Sequence, residues 1–145
     1  MSIPGRISLV TLGVDDVERS TAFYLALGWE LSSSSVPGDV SFFRLGGAAL
    51  AVWGRRDLAA DVGADADAAR PPFREVTVAI NVADDAEVDA AFAAAVEAGG
   101  TVVVPAHRAE WGGYTGYFTD PDGHLWEVAH NPYWPLDDTG LPVLP

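Results

Sequence analysis

The chain has 145 residues, 49% of them hydrophobic and 10% aromatic, which suits one domain with its own core and argues against disorder. Its formal charge is −13 and all eight basic residues are arginine, a balance that argues against nucleic acid as a partner and favours a cationic small molecule. Without cysteine or lysine there can be no thiolate metal site, cysteine nucleophile, disulfide, Schiff-base lysine or phosphate-loop lysine. No apolar run reaches the length of a membrane span and "MSIPGRISLV" lacks a signal-peptide layout, so a soluble, cytoplasmic chain with no membrane partner is expected.

In chain order, "RISLVTLGV" (6–14) reads as a strand and "DDVERSTAFYLALG" (15–28) as a helix. Asp15 or Asp16 supplies the cap, Val17, Phe23, Tyr24 and Leu27 the apolar stripe, and Gly28 the left-handed stop. Strand-like pieces follow near 29–34, 39–45 and 48–54. The Ala- and Asp-rich stretch ending in Pro71 and Pro72 reads as a linker with at most a helical turn.

The pattern then returns. "EVTVAINV" (75–82) is a strand, and "DDAEVDAAFAAAVEAGG" (84–100) a helix capped by Asp84 or Asp85, with Val88, Phe92 and Val96 on one face and a stop at Gly99. Pieces near 101–105, 114–119 and 124–130 complete a second β-α-β-β-β unit, about 70 residues after the first. The reading is therefore one α+β domain over 1–145. It comprises a first module (5–56), a linker (57–72), a second module (73–130) and a Pro-rich tail (131–145).

The paired layout, "DDVERSTAFYLALGW" after the first strand and "GYFTDPDGHLWEVAHNP" near the end resemble the vicinal oxygen chelate superfamily over residues 5–132. That group holds glyoxalases, bleomycin-resistance proteins and extradiol dioxygenases. The resemblance implies two β-α-β-β-β modules forming a cupped mixed sheet with helices outside and a ligand cavity within. It also implies metal-ligand positions at Leu9, Ala51, Thr77 and Glu127. The family's typical set is His, Glu or Gln, His and Glu, so three of the four positions lack a strong donor.

Alternation in the strands agrees with a cup. Val10, Leu12 and Val14 would face the core and Ile7, Leu9 and Thr11 the cup; Glu127 would face the cup while its neighbours Trp126 and Val128 face the helices. Ala49, Ala51 and Trp53 share the cup face, and "EWGGYTGY" brings Trp111, Tyr114 and Tyr117 near its mouth. Small residues beside aromatics make a hollow with stacking walls. His124 and His130 fall on the side of Trp126, leaving only His107 and Glu110, read as a loop, to join Glu127.

The resulting expectation is a homodimeric binding protein that takes a small aromatic or cationic molecule in the cup without a cofactor. Its ligand-binding residues would be Leu9, Ala51, Trp53, Thr77, Trp111, Tyr114 and Glu127. The alternative is a lyase, isomerase or dioxygenase-type enzyme in which Glu127 serves an atypical divalent-metal site or acts as a metal-free base. Arg44, Arg6 and Thr77 are the structural partners that Glu127 would take otherwise.

Overall fold

The computed structural model describes residues 2–145. The first module runs β1 (Leu9–Val14), α1 (Val17–Ala26), β2 (Glu30–Leu31), β3 (Val40–Arg44) and β4 (Ala49–Gly54). α2 (Arg55–Val62) follows, and the second module is β5 (Val78–Asn81), α3 (Asp85–Glu97), β6 (Thr101–Arg108), β7 (Tyr114–Thr119) and β8 (Leu125–His130). Each module folds into a four-stranded sheet, ordered β1-β4-β3-β2 and β5-β8-β7-β6. The β1–β4 and β5–β8 pairs are parallel and the others antiparallel. The expected α+β pair of β-α-β-β-β modules is the observed architecture.

Capping decides where the helices begin. Asp16 accepts the Arg19 N–H at 3.0 Å, while Asp15 turns outward to Arg70. In α3 the cap is Asp84, which accepts the Glu87 N–H at 2.8 Å, and Glu87 reaches back to the Ala83 N–H at 2.9 Å. These reciprocal bonds satisfy donors that a helix start leaves free. Asp85 is thereby released to pair with His130 and Arg108.

Three local readings change. The linker opens with the eight-residue helix α2, whose Leu58 covers Gly13; a Cβ on Gly13 would lie 3.2 Å from its Cδ2. β5 is shorter than 75–82 because Glu75 takes a left-handed φ of 57°, which stops the ladder before Val78. On α3 the buried stripe is Val88, Phe92 and Ala95, leaving Val96 exposed, since 3.6 residues per turn brings i+7 under the face that i+8 overshoots.

One core serves both modules. From α1, Phe23 and Tyr24 pack against Trp29 and Phe43 of their own module and Trp126 of the other; Phe92 of α3 meets Phe118 edge-on. Gly116 on β7 makes the second helix fit possible, because a Cβ there would come within 2.8 Å of Phe92 Cζ.

At the centre lies a buried polar chain. Tyr24 Oη donates to Asp120 Oδ2 at 2.6 Å and accepts from Trp126 Nε1 at 3.1 Å, while Asp120 Oδ1 accepts the N–H groups of Asp122 (3.0 Å) and His124 (2.9 Å). Burial and the charge of Asp120 push the Tyr24 phenol up, so it stays a donor. Tyr24→Phe strands a buried carboxylate oxygen and an indole N–H, and should cost about 1–3 kcal/mol in urea unfolding. An unchanged midpoint would contradict this assignment.

Candidate functional site

The cup is the sheet surface opposite α1 and α3. On β8, Trp126 and Val128 are buried in the core and His130 Nδ1 meets Asp85 at 2.7 Å, so alternation turns Glu127 the other way. Glu127 accepts the Thr115 hydroxyl at 2.8 Å and stands opposite Tyr117 on β7. Its partners are therefore Thr115 and Tyr117, while Arg44 pairs with Glu30. Burial first, then the charge and hydrogen bonding of Glu127, raise the Tyr117 phenol above its ordinary value.

His107 also belongs here. It lies within β6, not on a loop, and pairs in register with Thr115 across irregularities between Val104 and His107. Directly opposed residues share a face, so His107, Thr115, Tyr117 and Glu127 form the polar floor of the second module. The run of valines before His107 already carried a strand signal; the bulge that aims the imidazole did not show in the sequence.

The first module's face is apolar. Leu9 pairs with Ala49 and is 45% exposed; Ala51 pairs with Thr11 and Phe42 and is 1% exposed. Trp53 is half-buried beside Gly13 and Val40 in register, at the end that α2 covers. Thr77 is exposed and precedes β5.

The two hairpin aromatics part company. The Trp111 ring lies over Gly113, where a Cβ would fall 1.9 Å from its Cη2, and the side chain stays partly exposed. Tyr114 is not at the cup mouth as expected. Its hydroxyl donates to Asp89 of α3 at 2.7 Å and Arg108 sits 5.3 Å above its ring. β7 begins at Tyr114, and with Gly116 and Phe118 turned to α3, parity sends Tyr114 there and Thr115 and Tyr117 to the cup.

The "DPDGH" turn explains the remaining motif residues. Asp122 Oδ1 accepts the Asp15 N–H at 2.8 Å, and His124 Nε2 bonds Gly13 O at 2.8 Å, so the turn fastens β8 to the β1–α1 junction. Among the described residues, no three His, Asp or Glu side chains lie close enough together to hold a metal ion.

A family model described as the Glyoxalase/Bleomycin resistance protein/Dioxygenase superfamily matches residues 6–128. The chain belongs to this superfamily. Similar solved structures include a glyoxalase-related enzyme from Fulvimarina pelagi, 34% identical with a TM-score of 0.86, covering 97% of this chain and 99% of that one. A glyoxalase/bleomycin resistance protein/dioxygenase from Nocardioides is 30% identical with a TM-score of 0.73, over 90% and 85% of the two chains. A lactoylglutathione lyase from Agrobacterium tumefaciens is 27% identical with a TM-score of 0.66, over 90% and 96%. Among curated proteins none matches.

The superfamily's metal does not fit the donors present at the four motif positions. Leu9 and Ala51 bring no donor, Thr77 a neutral hydroxyl and Glu127 the single carboxylate, whereas such ions take at least three protein N or O ligands. Glu127 nevertheless forms an electrostatic couple with Tyr117. Glu127→Gln should lower one tyrosine's midpoint, followed by ultraviolet absorbance in alkali, because the charge opposing Tyr117 ionisation is gone. Superimposable titrations of the two proteins would contradict the couple.

Proposed function

We propose that this superfamily member is a cytoplasmic, homodimeric binding protein that holds a small aromatic or cationic molecule against the cup face, with Glu127 as its polar anchor. The observation that carries the reading is the chemistry at the four motif positions: one carboxylate is accompanied by three residues that bind ions weakly or not at all. Glu127 is held in place by Thr115 yet remains partly exposed, which suits an acceptor waiting for a ligand cation or hydroxyl. Leu9 and Trp53 supply the apolar walls; Ala51, expected among them, is buried beneath the surface, and Trp111 gives a rim beside two glycines.

Exposed apolar surface beside the cup supports the dimer. Ile7 and Leu9 are exposed on and beside β1. A second copy would cover that apolar surface and close the ligand space.

The Tyr117–Glu127 couple supports a second reading, a metal-free acid–base enzyme. A carboxylate beside a phenol can accept a proton from a substrate carbon or hydroxyl and return it through the phenol. Some similar proteins are described as enzymes, among them the lactoylglutathione lyase.

Calorimetric titration with benzyltrimethylammonium tests the first reading. Saturable binding is expected, with Glu127→Gln raising Kd about tenfold, equivalent to about 1.4 kcal/mol. Equal affinity of the two proteins, or near-stoichiometric Zn²⁺ or Ni²⁺ retained after desalting and lost in Glu127→Ala, would overturn it.

A further inference from the structure

The two sheets meet along a seam between β1 and the segment leading into β5, and that seam carries two adjoining, partly open hollows of about 530 and 270 Å³. The larger has apolar walls, including Leu12, Leu58, Phe73, Val76 and Val78. The smaller is lined by Arg55, Arg70, Arg74 and His124 with no Asp or Glu among its lining residues. Gly13, Pro71, Arg74 and His124 belong to both, so the cationic end opens directly into the apolar one.

Charge pairing sets these arginines apart. In a chain of net charge −13, Arg19, Arg44, Arg56, Arg70 and Arg108 each pair with a carboxylate. Among the described residues, Arg6, Arg55 and Arg74 form no such pair, although carboxylates outnumber arginines, and of the three Arg55 and Arg74 line the smaller hollow. Arg55 donates to the carbonyls of Ala66 and Ala68, which orient a guanidinium without neutralising it. Arg74 is held more firmly: Nη1 lies 2.8 Å from His124 Nδ1 and Nη2 donates to Asp122 O at 2.8 Å. With Nδ1 accepting, His124 Nε2 carries the proton given to Gly13 O. A guanidinium has five N–H donors, so Arg74 keeps about three after these bonds, already oriented at the cavity.

We propose that the seam binds a small amphipathic monocarboxylate, an acyl or arylalkyl acid, with its carboxylate on Arg74 and Arg55 and its hydrocarbon part in the apolar cavity. Bidentate guanidinium–carboxylate geometry supplies the head-group recognition, and the adjoining walls take the chain from water. Asp15, drawn to Arg70 beside the site, adds a negative charge that disfavours a dianion. The seam shares none of the proposed cup ligand residues, and its cationic end is opposite in charge preference, so it stands or falls independently of the cup ligand.

Titration of the full chain with octanoate, octan-1-ol and octylammonium tests this. Octanoate should bind saturably at one site, with the alcohol and the amine each at least about tenfold weaker, as expected when a charge-assisted hydrogen bond is lost. Arg74→Met should raise the octanoate Kd at least about tenfold. Because Arg74 also steadies His124, Arg55→Gln on α2 is the companion variant and should weaken octanoate as well. Saturating benzyltrimethylammonium should leave octanoate binding unchanged. Absence of octanoate binding, equal binding of the alcohol, wild-type affinity in the folded variants, or competition with benzyltrimethylammonium would each overturn the proposal.

Discussion

A single buried hydrogen-bond chain, Trp126 to Tyr24 to Asp120, holds the two modules in one arrangement. Tyr24 comes from the first module's helix, Trp126 from the second module's last strand and Asp120 from the turn before it. Each group is polar and shielded from water, so each depends on the others for its partner. Asp120 also holds the N–H groups of Asp122 and His124, fixing where β8 begins and therefore which of its residues face the cup. Displacing β8 by one residue would put Glu127 in the core and Trp126 on the cup.

The cup and the seam inherit their chemistry from that arrangement. Turned away from the core, Glu127 meets Thr115 and Tyr117 on β7, and with His107 opposite Thr115 on β6 they form a polar floor against the apolar face of the first module. The turn that positions it also anchors Arg74 through Asp122 and His124. One motif thus organises an anionic group on one surface and a cation without a carboxylate partner on another.

Much of this was legible in the sequence because its causes are local. The doubled β-α-β-β-β pattern, the aspartate caps and glycine stops, and the outward turn of Glu127 all follow from short-range periodicity and capping. The side that Tyr114 takes depends on where β7 begins, which the hairpin loop decides, so the sequence alone does not place it. The strand position of His107 is hidden in the sequence because a bulged strand breaks strict alternation. The pairing of Tyr24 with Asp120 spans 96 residues. Its one sequence cue was that a buried tyrosine hydroxyl requires a partner. The seam cavities left no local trace, being made by α2 and the 71–78 segment meeting β1 in space.

The central claim is that the Tyr24–Asp120–Trp126 chain makes the two modules one cooperative unit. Native-state hydrogen exchange at the amides of β4 and β8 measures it most directly, since each strand reports the opening free energy of its own module. The account predicts one shared opening free energy for the two strands. Exchange in β8 through a distinctly lower-energy opening that leaves β4 protected would show that the modules open separately, and would contradict it.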